Sequence, residues 1–188
     1  MAKQRGYRSR AVFKLRHVID KYGLITRGDK VIDIGAAPGG WIQTARQASG
    51  TQGFVLGIDI NRIPPLNFQN VLTVQADVLE STIFDHIREV FPFQADVVIS
   101  DISPNISGAW DVDHGRQIQL AERSLEIAKC FLRPRGKFFV KAFQGSELEQ
   151  FRRIIVDCFG TVKYVKPPAS RKRSAEIYIF ASDFRGTQ

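Results

Sequence analysis

The sequence predicts an α/β fold: a mostly parallel sheet of seven strands, one of them antiparallel, with helices on both faces. Three observations carry this. Short runs rich in Val, Ile and Phe alternate with stretches of helical spacing. Those runs are nearly continuous in apolar residues, as in strands covered on both sides. Only KPPASRKRS, 166–174, separates the last two strands. That is too short for a crossover helix, so this pair must be antiparallel.

Taken in order, Val12, Leu15, Val18, Ile19 and Tyr22 recur at helical spacing, and Gly23 ends the run. Strands are expected at 30–34, 53–58, 71–75, 95–100, 136–142, 161–165 and 175–181, and helices near 41–49, 81–90, 113–132 and 146–158. Pro134 and Gly136 stop the third of these helices near Leu132. Ser146 with Glu149 three residues on reads as a capping box for the fourth.

A chain of 188 residues, 44% hydrophobic, suits one domain, with no internal repeat or second core. The first ten residues are polar and basic, which predicts no secretory signal. No apolar run approaches the ~18 residues of a membrane span. Cys130 and Cys158 match no metal-ligand or disulfide pattern, so a reducing cytoplasm and no metal are expected. The sequence does not fix the oligomeric state, and a monomer is the simplest expectation. The net charge is +8, unevenly spread. Residues 1–30 carry +7, residues 163–173 carry +5, and the remainder is mildly acidic. Two basic clusters on an acidic body suit a polyanion, nucleic acid first.

The loop VIDIGAAPGGW, Val31 to Trp41, follows the first strand. A triphosphate loop needs Gly-x-x-x-x-Gly-Lys-Ser/Thr, but Trp41 follows Gly40 here. A dinucleotide loop needs Gly-x-Gly-x-x-Gly to cradle pyrophosphate, whereas this one reads Gly35-Ala-Ala-Pro-Gly39-Gly40. Pro38 also lacks an N–H. Four strands end in Asp: Asp33, Asp59, Asp77 and Asp101. Such a rim repels phosphate and suits a ribose diol, an ammonium and a sulfonium, a description that fits S-adenosylmethionine. Asp59, 24 residues after Gly35, would reach the ribose hydroxyls, with Ile60 beside it. Asp77 and Val78 would flank adenine. Gly35, Gly39 and Gly40, with Ala37 and Pro38, would let the backbone approach the methionine end.

On the acceptor side, Lys141 lies in the apolar strand GKFFVKAF, and Glu176 opens AEIYIFA. If the last strand is antiparallel, Glu176 shares an edge with Lys141 and Asp101. Lys14, inside SRAVFKLRHV, reads on spacing alone as a solvated helix position.

The blocks SRAVFKL, DIGAAPGGW, DISPNISG, FFVKAF and SRKRSAEIY, in this order from Arg8 to Ala181, resemble the FtsJ-like ribosomal RNA ribose 2′-O-methyltransferases. The resemblance implies a Rossmann-like class I methyltransferase fold. It places a Lys-Asp-Lys-Glu tetrad on Lys14, Asp101, Lys141 and Glu176, and cofactor contacts on Gly39, Trp41, Asp59, Asp77 and Asp101. It implies S-adenosylmethionine as methyl donor and a uridine of large-subunit ribosomal RNA as acceptor, with transfer RNA as the alternative. Transfer needs the proton drawn from a weakly nucleophilic 2′-hydroxyl. Lys141 would take it as a neutral amine, or stay charged and stabilise the alkoxide. Burial, Lys14 and the sulfonium favour the neutral form, while Asp101 and Glu176 favour the charged one. Lys14 would orient the ribose, and Glu176 the hydroxyl or a lysine.

Arg5, Arg8, Arg10, Arg171, Lys172 and Arg173 are expected on RNA phosphates, and Tyr7 is a candidate to stack a base. Rival readings fit less well. Cytosine carbon methylation usually uses a cysteine nucleophile, and neither cysteine lies near the carboxyl end of a strand. Adenine amino methylation prefers an Asp/Asn-Pro-Pro-aromatic turn, and DISPN has one proline and no aromatic. A non-catalytic RNA-binding module would have no need of an intact tetrad.

Overall fold

The computed structural model describes residues 6–170 and 174–186. In chain order the elements are α1 (Val12–Tyr22), β1 (Lys30–Ile34), α2 (Gly40–Ser49), β2 (Phe54–Asp59), β3 (Val71–Gln75), α3 (Ile83–Val90) and β4 (Ala95–Ser100). Then come α4 (Trp110–Phe131), β5 (Leu132–Phe143), α5 (Leu148–Cys158), β6 (Phe159–Val165) and β7 (Glu176–Phe184). The strands form one sheet in the order β3-β2-β1-β4-β5-β7-β6. β1 to β5 are parallel, and β7 runs antiparallel to both β5 and β6. This is the mostly parallel α/β sheet that the patterning predicts and the Rossmann-like class I architecture that the resemblance implies. The turn from β6 to β7 reverses direction because its length allows no crossover.

Each sheet face has its own apolar core. Ile32, Ile34, Val98, Phe138 and Val140 pack against α3, α4 and α5. Val31, Val55, Ile99, Phe139 and Tyr178 pack against α1 and α2. Successive side chains on a strand point to opposite faces, so the apolar runs feed both cores at once. Among the described residues no helix is long and apolar enough to cross a membrane.

Two local expectations need correction. β5 begins at Leu132, not 136, directly after α4 ends at Phe131. A register shift opposite Ala95 and Val97 absorbs Arg133–Gly136, where Arg135 takes φ 65°. Pro134 and Gly136 therefore mark a bulged strand start, not a loop. Ser146 is not the cap of α5, since Glu147 holds that position without a side-chain cap. The Glu147 N–H donates to His114 Nε2 at 3.3 Å. Glu149 accepts from Arg152 and from the Tyr164 hydroxyl. The Glu149 carboxylate, which a capping box would turn back to Ser146 N–H, is engaged by its helix neighbour Arg152 and by Tyr164 of β6. Burial, then the Glu149 carboxylate, pushes the Tyr164 phenol up to about 12.

Candidate active site

The carboxyl ends of β1 to β4 open into a cleft of about 490 Å³. Gly35, Ala37, Asp59, Ile60, Asp77, Val78 and Asp101 line it, joined by Ser103, Asn105 and Arg116. Gly35 takes φ +75°, and a Cβ there would lie 2.6 Å from Ile102 Cα. Only glycine lets the loop after β1 press this closely on the loop after β4. Pro38, Gly39, Gly40 and Trp41 are not in the lining. The Trp41 indole is buried, donates to Ala11 O at 2.8 Å and packs against Phe139 and Tyr178, holding the start of α1 to the sheet.

The loop amides are already engaged. Gly35 and Ala36 donate to Ile58 O, Ala37 donates to Asp59 Oδ2, Gly39 donates to Ala36 O, and Pro38 has no N–H. From Gly35 to Gly39 no amide is left for a phosphate. Asp59 is fixed further by Asn61, whose backbone and side-chain nitrogens both donate to Oδ1. Asp77 accepts from Leu79 N. The fourth strand-end acid, Asp33, is fully buried and outside the lining, and neither oxygen meets a donor. Burial first, then the charges of Asp101 and Asp59, push its carboxyl well above the usual carboxylate range. Three carboxylates against one arginine make the cleft a site for a cationic, hydroxyl-bearing ligand. Among the described residues no group of three His, Cys, Asp or Glu is placed to hold a metal.

Beside the cleft, the structure brings Lys14, Asp101, Lys141 and Glu176 into one network. Lys141 Nζ donates to Asp101 O at 2.5 Å and to Ser103 Oγ, and lies 3.2 Å from Asp101 Oδ1. Three oxygens thus meet the three donors of an ammonium. Lys14 Nζ donates to Glu176 Oε2 at 2.7 Å and to the Tyr178 hydroxyl at 3.1 Å. That hydroxyl donates to Asp101 Oδ1 at 2.7 Å, closing the chain. Ser170 donates to the other Glu176 oxygen at 2.7 Å. Burial pushes the Glu176 carboxyl up, but hydrogen bonds from Lys14 and Ser170 and both lysine charges outweigh it, leaving it below its ordinary value.

Strand register explains the meeting. Phe143 pairs with Glu176 and Lys141 with Tyr178 across β5 and β7, while Asp101 leaves β4 next door. Trp41 sets α1, and so Lys14, against this edge. Gln117, buried in α4, donates to Ile102 O and Lys141 O and fixes the exits of β4 and β5.

Sequence reasoning missed Tyr178, Ser170, Ser103 and Gln117. Tyr178 had a signal: it stands two residues after Glu176, on the same strand face. Burial and the Asp101 and Glu176 carboxylates hold its phenol far above the ordinary value, so it stays a neutral donor.

The basic residues divide. Arg10 is exposed. The Arg8 guanidinium donates to the carbonyls of Pro38, Pro64 and Pro65. It ties the segment before α1 to the loops after β1 and β2. The Tyr7 hydroxyl donates to Gln47. Arg5, Arg171, Lys172 and Arg173 lie outside the described residues.

The sheet order, the acid-lined cleft and the lysine–carboxylate network at its rim define an α/β methyltransferase of the Rossmann-like class. A family model described as FtsJ-like methyltransferase matches residues 7–184, and the chain belongs to that family. Relatives named ribosomal RNA large subunit methyltransferase E agree. The chain is 48% identical to that of Methanothrix thermoacetophila, over 95% of this chain and 68% of the relative. It is 43% identical to that of Methanocaldococcus jannaschii, over 99% and 77%. A solved Plasmodium falciparum structure, described as a ribosomal RNA methyltransferase, superposes with TM-score 0.86 at 24% identity, covering 96% of this chain and all of that one.

Proposed function

We propose that this chain uses S-adenosylmethionine to methylate a ribose 2′-hydroxyl of RNA, with a uridine of large-subunit ribosomal RNA as substrate. The observation that carries the reading is the Lys141 amine, buried at the end of β5 and held by Asp101, which also lines the acidic cleft. A proton acceptor for an alcohol thus adjoins a pocket for a cationic ligand. The names of the large-subunit relatives point to the RNA class.

The pocket residues fit the cofactor. The engaged loop amides exclude a pyrophosphate, while Asp59, Asp77 and Asp101 supply negative charge or acceptors. Asp59 would hold the ribose diol, Ile60, Asp77 and Val78 the adenine, and Gly35, Ala37 and Asp101 the methionine end. Pro38, Gly39, Gly40 and Trp41 would support that surface from behind. When bound, S-adenosylmethionine supplies an electrophilic methyl on a sulfonium. Asp101 positions Lys141. As a neutral amine, Nζ would receive the 2′-hydroxyl proton as the oxygen attacks the methyl; as an ammonium, it would orient the hydroxyl and stabilise the developing alkoxide. Lys14, paired with Glu176, orients the ribose. Arg10 and the basic stretch around Arg171, Lys172 and Arg173, with Arg5, would meet the phosphates.

Incubating the chain with tritiated S-adenosylmethionine and large-subunit ribosomal RNA should place label in alkali-resistant dinucleotides. Lys141→Ala should cut transfer by about a thousandfold or more while cofactor binding survives. Label on a base, or normal turnover in that variant, would overturn the assignment. Label confined to transfer RNA would reject the ribosomal substrate alone.

A further inference from the structure

Trp110 opens α4 with about half of its surface exposed, 50%. Ile106 at 66% and Val112 at 46% stand beside it in sequence. Ile106 lies on the loop that begins with Asp101 and Ser103, and Trp110 and Val112 lie in the first turn of α4 that follows it. The indole is not loose. It stacks on His114 at 6.1 Å and 18°, and on Phe143 at 6.0 Å and 19°. Phe143 lies two residues beyond Lys141 on β5, about 7 Å along the strand. The buried Asp113 carboxylate anchors the loop by accepting from Ser107 N, Ser107 Oγ and Gly108 N. Those bonds, the Ser107 amide first, hold the Asp113 carboxyl below its ordinary value. A rigid, open aromatic thus stands next to the proposed acceptor site and outside the cofactor cleft.

We propose that Trp110 is the stacking platform for an unpaired nucleobase adjoining the ribose presented to Lys141. The proposal rests on the RNA reading and adds that the substrate is engaged as a splayed, single-stranded segment. Electrostatics favours a base here over backbone. Asp111 follows Trp110, Glu147 caps the helix whose first turn meets His114, and both are exposed. Carboxylates so placed repel phosphates and turn the base toward the apolar ring. A nucleobase stacks on an indole whatever its identity, so the platform would hold the strand without reading sequence.

The chain has two tryptophans, and Trp41 is buried and hydrogen-bonded, which makes emission a selective readout. The full chain would be titrated with a mixed-sequence single-stranded RNA of about twelve nucleotides. We expect tryptophan quenching that disappears in Trp110→Phe while affinity stays within about threefold, because a ring remains. Trp110→Ala should bind about tenfold more weakly or worse, with S-adenosylmethionine affinity and melting midpoint kept. Quenching that persists in Trp110→Phe, equal affinity in Trp110→Ala, or no binding by the wild-type chain overturns the platform. The two readings separate in the methylation assay. No ribose label from the wild-type chain ends the RNA reading, whereas normal label with an unchanged KM in Trp110→Ala ends the platform alone.

Discussion

The Tyr178 hydroxyl donates a hydrogen bond to Asp101 and accepts one from Lys14, so one neutral group joins the two halves of the site. Tyr178→Phe would keep the stacking on Phe139 and Trp41 while leaving a lysine and a carboxylate each short of a partner. Turnover should fall about tenfold with cofactor affinity intact, as expected for lost hydrogen bonds to charged groups. Full activity in that variant would reduce the hydroxyl to packing. Asp33 makes a second prediction at this scale. Its folded-state carboxyl titrates above the unfolded value, so its contribution to stability is fully present below about pH 4 and lost as pH rises through the folded value. Asp33→Asn should therefore match wild type near pH 4 and melt higher at pH 7 without cofactor. A constant difference across that range would mean that the carboxyl does not titrate on folding.

Loops are held at the sheet edge by tertiary bonds more than by local turn chemistry. Gly35 combines a left-handed backbone with a 2.6 Å approach to Ile102 Cα. Gly35→Ala should lose about 2 kcal/mol or more in urea unfolding, since both backbone strain and a backbone clash result. A loss within about 0.5 kcal/mol would show that the loop after β4 yields freely. The same logic revises Arg8. Its sequence neighbourhood suggests a phosphate contact, but its guanidinium spans three prolyl carbonyls and fastens one loop to another. Charge pattern shows that a residue is basic; it does not show which oxygens fold within reach. Ser146 and Glu149 fail as a cap for the related reason that Arg152 and Tyr164 occupy the Glu149 carboxylate.

Across the whole molecule the basic charge gathers in two segments, 1–30 and 163–173, with an acidic remainder. Lys14 belongs to the first and Glu176 follows the second, and they meet at 2.7 Å. Among the described residues, Lys14 of the first segment and Ser170 of the second both bond Glu176 at one edge of the sheet. If about five phosphates bind there, log affinity for single-stranded RNA should fall with log salt at a slope near −3.5. A slope near zero would remove these segments from the interface.

The order of elements, the antiparallel last pair and the strand-end acids were legible in the chain because they follow from local periodicity and connection length, which need no partner to express. Asp101, Lys141 and Glu176 could be set on one edge for the same reason: strand direction alone puts them there. Lys14 needed a motif, because a helix lysine looks alike whether it faces water or a carboxylate. Asp33 and Asp59 also look alike in sequence, each a strand-end acid. Folding separates them, burying one without a donor and fixing the other at the cleft with three. Tyr178, the consumed loop amides, the Arg8 tether and the open face of Trp110 depend on which distant groups pack against each other. That is settled by competition among all available donors, acceptors and apolar surfaces in three dimensions, and only the folded chain resolves it.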